Sequence, residues 1–418
     1  MKVKKNIANI TKNLKSIAKK TIKDCTFKKQ ADYFSKNQKI NLVLPSGDEK
    51  YLSFWVRDFV MMAESHLFSK FELKKYIEII ATCGQNGEKE IALENGLIVP
   101  PFAIADHVNY NAKPVFFPGT YNCGDNQGNG EYGFYPPYCD NYYFVILVGL
   151  YLQKSNNYKI LEKEYNGIKL SDRIKGAFSG YGVDKDTQLL ISDKQKFTVD
   201  WGFTDTIKKS GKLLFSSLIR YSACKYMSLI FKKDKTLKEE YVKTANIIKE
   251  NIIKEFFDDN TGWFYSSTGV CHQHDVWGTA YAVFLGINSS EKTLNALYSA
   301  YKDKTAVVNG YVRQILTTEN FSNESAWENT ITPFNKYQNG AFWATPTGWY
   351  AYALYLKTGK FDILNDFIAH TKNNLQNGAP VEWFTLETGE VSGLNYGTSG
   401  VLPYVGALKI KKAIKGEN

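Results

Sequence analysis

Six short clusters in the sequence combine an aromatic side chain with a carboxylate or an amide. They lie at residues 54–58, 137–143, 199–205, 272–278, 338–343 and 381–384. Aromatic faces stack on the C–H faces of sugar rings, while carboxylate, amide and guanidinium groups make paired hydrogen bonds to neighbouring hydroxyls. The clusters therefore indicate a binding site for a carbohydrate.

Helices must position these clusters, because apolar residues recur at spacings of three and four from Arg57 onward. Each cluster precedes or begins a predicted helix, and no βαβ alternation or Pro/Gly/Ser-rich linker divides the chain. We predict an all-α fold in which residues 41–418 form one domain. The predicted helices are 58–69, 72–83, 139–154, 212–232, 236–257, 276–286, 290–303, 346–357, 361–374 and 399–412.

The net charge of +10 comes entirely from the N-terminal segment, residues 1–40, which holds 12 lysines against Asp24 and Asp32. Because the rest of the chain has no basic excess, the sequence argues against a nucleic-acid partner. Apolar residues within this segment recur at helical spacing, which predicts a basic amphipathic helix. We expect it to dock on the domain with its lysines in water; contact with an anionic membrane surface is the second interpretation.

Several motifs resemble those of the six-hairpin glycosidases. The segment Trp55-Val56-Arg57-Asp58-Phe59 is similar to an early motif of glucoamylases, and Asp200-Trp201-Gly202 is similar to a motif of α-L-rhamnosidases. The stretch from Asp258 to Gly286 and the later Glu382-Trp383 also look like this superfamily, whereas a trehalase-like element is present only loosely. The resemblance implies an (α/α)6 toroid of six helical hairpins, with short irregular or strand-like loops at the active-site end.

The resemblance also implies a glycoside hydrolase that cleaves a terminal sugar, with one catalytic carboxyl group from the middle of the chain and another near the C-terminus. One carboxylic acid protonates the leaving oxygen and one carboxylate activates water or attacks carbon. We predict Asp200 as the acid, because the apolar face of Trp201 would raise its pKa, and Asp205 as the alternative. Glu382 is the predicted base. Inversion of configuration is expected from the resemblance alone.

The remaining members of the clusters are predicted to bind the oligosaccharide or glycoside substrate. Arg57 would favour the ionised form of Asp58, which suits a carboxylate that binds sugar hydroxyls. The histidines lack a third cluster that would complete a metal site, so we expect neither a metal nor a cofactor. The predicted binding residues are Trp55, Arg57, Asp58, Asp106, His107, Asp140, Trp201, His274, Asp275, Trp277, Gln338, Asn339, Trp343, Trp383 and Tyr396.

Other functions fit the same toroid. Sugar epimerases of the N-acylglucosamine 2-epimerase type use paired histidines, for which His107 and His274 are the candidates. A polysaccharide lyase with a Tyr/His pair and a carbohydrate-binding protein without activity are further alternatives.

Two further expectations concern the whole chain and one loop. The N-terminus lacks the uninterrupted apolar stretch of a signal peptide, which predicts a cytoplasmic protein. The glycine-rich loop 119–134 is predicted to be a flap over the sugar pocket.

Overall fold

The apolar periodicity of the sequence produces helices that pack in two concentric layers. The computed structural model describes residues 2–31, 38–48, 51–94, 96–118, 127–128, 130, 132–322, 332–373 and 379–417. Most of the predicted flap, 119–134, lies outside these residues. The helices are α1 Lys2–Asp24, α2 Val56–Ala63, α3 Lys70–Ile79, α4 Tyr138–Ser155, α5 Leu170–Ser179, α6 Leu214–Ile230, α7 Lys235–Phe256, α8 Val276–Leu285, α9 Glu291–Lys302, α10 Thr347–Thr358, α11 Asp362–Asn373 and α12 Gly397–Lys415.

The even-numbered helices form a closed inner ring. Each contacts the next, from α2 through α4, α6, α8 and α10 to α12, and α12 returns to contact α2. The odd-numbered helices pack outside this ring, as α7 does against α6 and α9 against α10. Helix α4 shows why the inner helices are apolar all round, since every residue from Tyr138 to Leu152 is buried. The predicted all-α toroid is confirmed.

The basic N-terminal helix α1 is one of the outer helices. Its apolar stripe, which includes Ile7, Ile10 and Leu14, is buried, and the helix packs on α12. The stripe that a membrane contact would need is therefore already covered by protein. The boundary predicted at residue 40 falls within a strand (Gln38–Val43) that pairs with Thr26–Ala31. Among the described residues, no helix combines the length and the apolar character needed to cross a bilayer.

Short strands connect the helices and form only small sheets. The strands are β1 Thr26–Ala31, β2 Gln38–Val43, β3 Phe54–Trp55, β4 Ile91–Ala92, β5 Ile98–Val99, β6 His107–Val108, β7 Pro114–Val115, β8 Glu164–Tyr165, β9 Ile168–Lys169, β10 Leu190–Ser192, β11 Gly211–Leu213, β12 Val307–Val308, β13 Tyr311–Val312, β14 Phe342–Trp343, β15 Val381–Phe384 and β16 Val391–Leu394. The largest sheet has five antiparallel strands in the order β12 to β16, and it pairs Trp343 with Trp383. A three-stranded sheet, β3-β6-β7, pairs Trp55 with His107.

One predicted helix is much shorter than expected, and one helix was not predicted. The helix predicted over 58–69 ends at Ala63, because Ser69 and Glu72 form a capping box that starts α3 as a separate helix. Helix α5 was not predicted, since it has only ten residues and its apolar positions give a short periodic signal.

Candidate active site

A concave cavity opens at the end of the toroid where the inner helices begin. Its volume is about 450 Å³, counting its open mouth. Segments that precede or begin α2, α6, α10 and α12 supply most of its wall. The lining residues are Pro45, Tyr51, Trp55, Arg57, Asp58, Asp106, Pro118, Gly202, Phe203, Asp205, Tyr337, Trp343, Glu382 and Tyr396.

Glu382 reaches the cavity from the middle of β15. The pairing of β15 with β16 places Gly393 against it, where a Cβ atom would lie 2.6 Å from the Glu382 Cβ. Gly393 also has a φ of +65°, so glycine suits this position for both conformation and space. The hydroxyl of Tyr51 donates to the Glu382 carboxylate, at 3.0 Å from Oε1 and 3.3 Å from Oε2. These contacts fix the direction of the carboxylate.

Asp205 lies in the loop between the 3₁₀ turn Gly202–Thr204 and α6. The Gln338 Nε2 donates to its Oδ1 at 2.6 Å. Gln338 is itself oriented by Thr206, whose backbone N–H and hydroxyl both donate to the Gln338 Oε1. Burial raises the pKa of Asp205 to about 7, even though Arg57 and Gln338 favour its ionised form. A carboxyl group with this pKa can hold a proton at neutral pH and deliver it to a ligand.

Asp58 is a further carboxyl group in the cavity wall. The hydroxyl of Tyr396 donates to its Oδ1 at 3.1 Å, and the Arg57 Nε lies 3.9 Å from its Oδ2. Burial nevertheless raises its pKa to about 7. The prediction that Arg57 keeps Asp58 ionised therefore neglected desolvation, which here outweighs the nearby positive charge.

Arg57 is surrounded by carboxylates. Its guanidinium makes an ion pair with Asp106, and Asp140 lies on the same side, with Nη1 3.5 Å from its Oδ2. Burial opposes ionisation of Asp106, but Arg57 and His107 lower its pKa. Burial raises the pKa of Asp140 well above its ordinary value. The group is positioned by β3 and β6, because the backbone N–H of Val56 donates to the Asp106 carbonyl.

His107 supports this network from behind the cavity wall. Its Nδ1 lies 2.9 Å from the Asp106 Oδ2, and its ring stacks on Trp55 with centroids 4.3 Å apart. Trp55 itself lines the cavity. Neither His107 nor Asp140 lines the cavity, so both are placed to orient Asp106, Arg57 and Trp55.

Gly202 allows Arg57 to lie flat against the backbone. A Cβ atom at this position would lie 2.0 Å from the Arg57 Cζ. No side chain can fit there without displacing the guanidinium. This close approach gives a physical reason for the glycine in the Asp200-Trp201-Gly202 motif.

Asp200, the first choice for the acid, does not line the cavity. It is fully buried, its Oδ2 lies 2.9 Å from the Lys209 Nζ, and its Oδ1 accepts from the Ser216 N–H at the start of α6. Trp201 is also in the core, where it stacks on Phe215 with centroids 3.7 Å apart. Both residues therefore hold the start of α6 in place.

The cluster before α8 is also directed away from the cavity. Asp275 caps α8 by accepting from the Gly278 N–H at 2.7 Å, and the Trp277 indole N–H donates to the Val312 carbonyl. His274 pairs with Glu319, with Nδ1 2.6 Å from Oε1. The structure gives these residues contacts with protein instead of a place in the cavity wall.

Asn339 and Trp383 lie beside the cavity without lining it. Asn339 is buried, and its side-chain amide joins residues 320–322 to Thr332: its Oδ1 accepts from the Phe321 N–H and its Nδ2 donates to the Thr332 carbonyl. Trp383 is buried next to Tyr337, with ring centroids 5.9 Å apart. Of the predicted residues, the cavity brings together Trp55, Arg57, Asp58, Asp106, Asp205, Trp343, Glu382 and Tyr396.

The sequence analysis missed Tyr51 and Tyr337 in the cavity wall. Tyr51 precedes Trp55 by four residues, and Tyr337 directly precedes Gln338. Both adjoin predicted clusters, so extending each cluster by a few residues would have found them. Phe203, within the predicted cluster 199–205, was not singled out either.

The chain resembles solved glycosidase structures in its fold. The match to a rhamnosidase from Klebsiella oxytoca with rhamnose bound covers 97% of this chain and 64% of that chain, with a TM-score of 0.57 and 10% sequence identity. For a glucoamylase from Saccharomycopsis fibuligera the coverage is 90% of both chains, with a TM-score of 0.55 and 13% identity. The match to a glycosidase variant in complex with glucose covers 96% of this chain and 97% of that chain, with a TM-score of 0.57 and 10% sequence identity.

The chain thus spans about two thirds of the length of the rhamnosidase it matches. No protein-family profile and no curated protein sequence matches it. The identities are low, so the likeness concerns the path of the backbone. The protein has the six-hairpin (α/α)6 toroid fold seen in these glucoamylase and rhamnosidase structures.

Proposed function

We propose that the protein is a glycoside hydrolase that removes a terminal sugar in the cavity formed by Asp205, Glu382 and their aromatic neighbours. One observation carries the proposal: two carboxyl groups from distant parts of the chain line one concave site walled by Trp55 and Trp343. The known sugar ligands of two structural neighbours, rhamnose and glucose, support a pyranose as the bound unit.

We assign the general acid to Asp205 in preference to Asp200. Asp205 lies in the cavity and its pKa of about 7 lets it carry a proton near neutral pH. Asp200 is ion-paired with Lys209 behind the wall, where no substrate atom can reach it. The choice therefore depends on access, because a general acid must touch the atom it protonates.

Glu382 is the proposed base. It removes a proton from a water molecule as the water oxygen attacks the anomeric carbon, and Asp205 gives its proton to the leaving glycosidic oxygen as the C–O bond breaks. The Tyr51 hydroxyl holds Glu382 in one orientation for this step. Inversion of the anomeric configuration is the expected outcome, and NMR of the first-formed sugar tests it.

The decisive experiment compares Asp205→Asn and Glu382→Gln with Asp200→Asn on a panel of aryl glycosides and natural disaccharides. We expect the first two to lower kcat by about 10²- to 10⁴-fold, the usual contribution of acid or base catalysis, while sugar binding persists. Asp200→Asn should instead lower the melting temperature, since it leaves the buried Lys209 without its partner. Normal turnover in Asp205→Asn would contradict the assignment of the acid.

The alternative functions are judged by the contacts of the histidines and by the same activity panel. The histidine pair of an epimerase is not supported, because His274 is engaged with Glu319 and His107 lies behind Trp55. Wild-type protein that binds sugars without hydrolysing any of the panel would indicate a carbohydrate-binding protein without catalytic activity.

A further inference from the structure

A second cavity lies at the opposite end of the toroid from the candidate active site. Its volume is about 1570 Å³, counting its open mouth, more than three times that of the first cavity. The wall is built from the later parts of inner helices, including Leu150 of α4, Tyr226 of α6 and Phe284 of α8. Because the inner helices all start at the candidate active site, this cavity is distinct from it and shares none of its residues.

Six lysines surround the second cavity: Lys15, Lys225, Lys409, Lys411, Lys412 and Lys415. Lys415 has a carboxylate neighbour, Glu417, with Nζ 3.4 Å from Oε1. Among the residues that the structure describes, the other five make no ion pair with a carboxylate. Burial and the like charges of Lys225 and Lys412 lower the pKa of Lys409. The rim therefore has an excess of positive charge that an anion would compensate.

The inner wall of this cavity is mostly apolar. It includes leucine and aromatic side chains from α4, α6, α8 and α12, such as Leu150, Tyr281, Phe284 and Leu408, beside the polar Ser65, His66 and Ser222. Lys409 lies at the boundary between rim and wall, with its Nζ 5.6 Å from the Phe284 ring centroid and 5.5 Å from that of Tyr352. The site thus joins a cationic rim to an apolar interior.

Glu64 is the one acidic group deeper in this cavity among the residues described. It has no cationic partner there, and burial raises its pKa to about 7. The carboxyl group is therefore partly protonated at neutral pH and opposes the lysines less than a full negative charge would.

We propose that the second cavity binds a single-chain amphiphilic anion, with its phosphate or carboxylate head at Lys409 and Lys412 and its hydrocarbon chain against Leu150, Phe284 and Leu408. Charge complementarity selects the head, and the apolar wall selects the chain. An extended membrane surface fits less well, because the wall is concave and the apolar stripe of α1 is buried on α12.

The test is calorimetric titration of the full chain with alkyl phosphates below their micelle concentration. We expect saturable binding of decyl phosphate at one site, with affinity rising up to about fourfold for each methylene that is buried. Inorganic phosphate, which lacks the chain, and decyltrimethylammonium, which has the opposite charge, should each bind at least tenfold more weakly than decyl phosphate. Decanoate should bind like decyl phosphate, which shows that the anionic head and not phosphate itself is recognised.

Matched variants locate the site. Lys409→Glu combined with Lys412→Glu should weaken decyl phosphate binding at least tenfold at unchanged melting temperature. Lys235→Glu combined with Lys238→Glu, on the exposed surface of α7, changes the net charge equally and should alter binding less than twofold. Lys225→Gln serves as a second rim variant in case the double variant is unstable.

Three results would overturn the proposal. The first is the absence of saturable decyl phosphate binding, and the second is equal weakening by the rim and α7 variants. The third is binding to anionic phospholipid vesicles without binding of the monomeric ligands, which would indicate a membrane surface. None of these depends on whether the protein hydrolyses sugars.

Discussion

Replacing Asp205 by Asn removes an ionisable group from the cavity and keeps its shape. The Asn side-chain oxygen can still accept the hydrogen bond that the Gln338 Nε2 donates to Asp205 in the wild type. The variant should therefore lose the proton needed for catalysis while it folds as before. Its effect on the free energy of unfolding depends on pH in a way that the wild-type pKa determines.

The magnitude follows from linkage between ionisation and folding. Burial raises the pKa of Asp205 from 3.8 to about 7, so ionisation is disfavoured in the folded state. Below pH 3.8 Asp205 is protonated in both the folded and the unfolded state, so it does not change the free energy of unfolding. Between the two pKa values it ionises in the unfolded chain but stays protonated in the folded one, which lowers the free energy of unfolding as the pH rises. Above pH 7 the cost reaches at most about 4 kcal/mol, from roughly three pKa units at 1.36 kcal/mol each. The cavity side of Asp205 is partly open to water, which reduces this figure.

Chemical denaturation at pH 5, 6, 7 and 8 measures this cost. The gain in unfolding free energy of Asp205→Asn over wild type should rise with pH up to about pH 7 and then level off. Asp193→Asn is the control, since backbone N–H groups lower the pKa of that exposed aspartate and its replacement should not stabilise the protein at any of these pH values. A gain independent of pH, or a loss of stability at pH 8, would refute the argument that Asp205 is kept protonated by burial.

Three further predictions test other contacts. Gln338→Met removes the hydrogen-bond donor that favours ionised Asp205, so the pKa of Asp205 should rise by about 1 to 2 units. The alkaline limb of the kcat/KM profile should shift to higher pH by the same amount. A limb at unchanged pH would show that Asp205 is not the general acid. Gly202→Ala should displace Arg57, whose Cζ lies 2.0 Å from the added Cβ position, and raise KM about tenfold or more through the lost charge-assisted contacts; an unchanged KM would mean that Arg57 does not bind substrate. Leu14→Glu buries a charge between α1 and α12 and should lower the unfolding free energy by about 3 kcal/mol or more, measured by denaturation beside an exposed lysine of α1 changed to glutamate.

The choice between Asp200 and Asp205 shows where sequence analysis of the site reaches its limit. Trp201 does lie beside Asp200, but its ring stacks on Phe215 inside the core. The partner of Asp200 is Lys209, nine residues further on in an irregular segment whose path no periodicity predicts. Whether a carboxylate beside a tryptophan faces a ligand or an ion pair is decided by that path.

The fold was predictable to a greater extent because it depends on many weak signals that agree. Apolar spacing of three and four placed eleven of the helices, and the helix-leading clusters indicated which end of the toroid carries the site. Helix α5 was not predicted because its ten residues contain too few repeats of the apolar spacing. The aromatic clusters before α6 and α8 were correctly placed along the chain, yet their tryptophans pack between helices, which a count of residue types cannot distinguish from stacking on a sugar.

The packing of α1 on α12 has a consequence for synthesis of the protein. The two helices are more than 370 residues apart in sequence, so joining them costs about 5 kcal/mol of loop-closure entropy if the intervening chain is flexible. At 5–20 residues per second, a ribosome needs roughly 20 to 70 s to make the intervening segment. During that interval the apolar stripe at Ile7, Ile10 and Leu14 has no α12 to cover it. The exposed stripe would favour aggregation of nascent chains during that time. The lysine-rich polar face of α1 is charged from the start of synthesis and supplies the repulsion between chains.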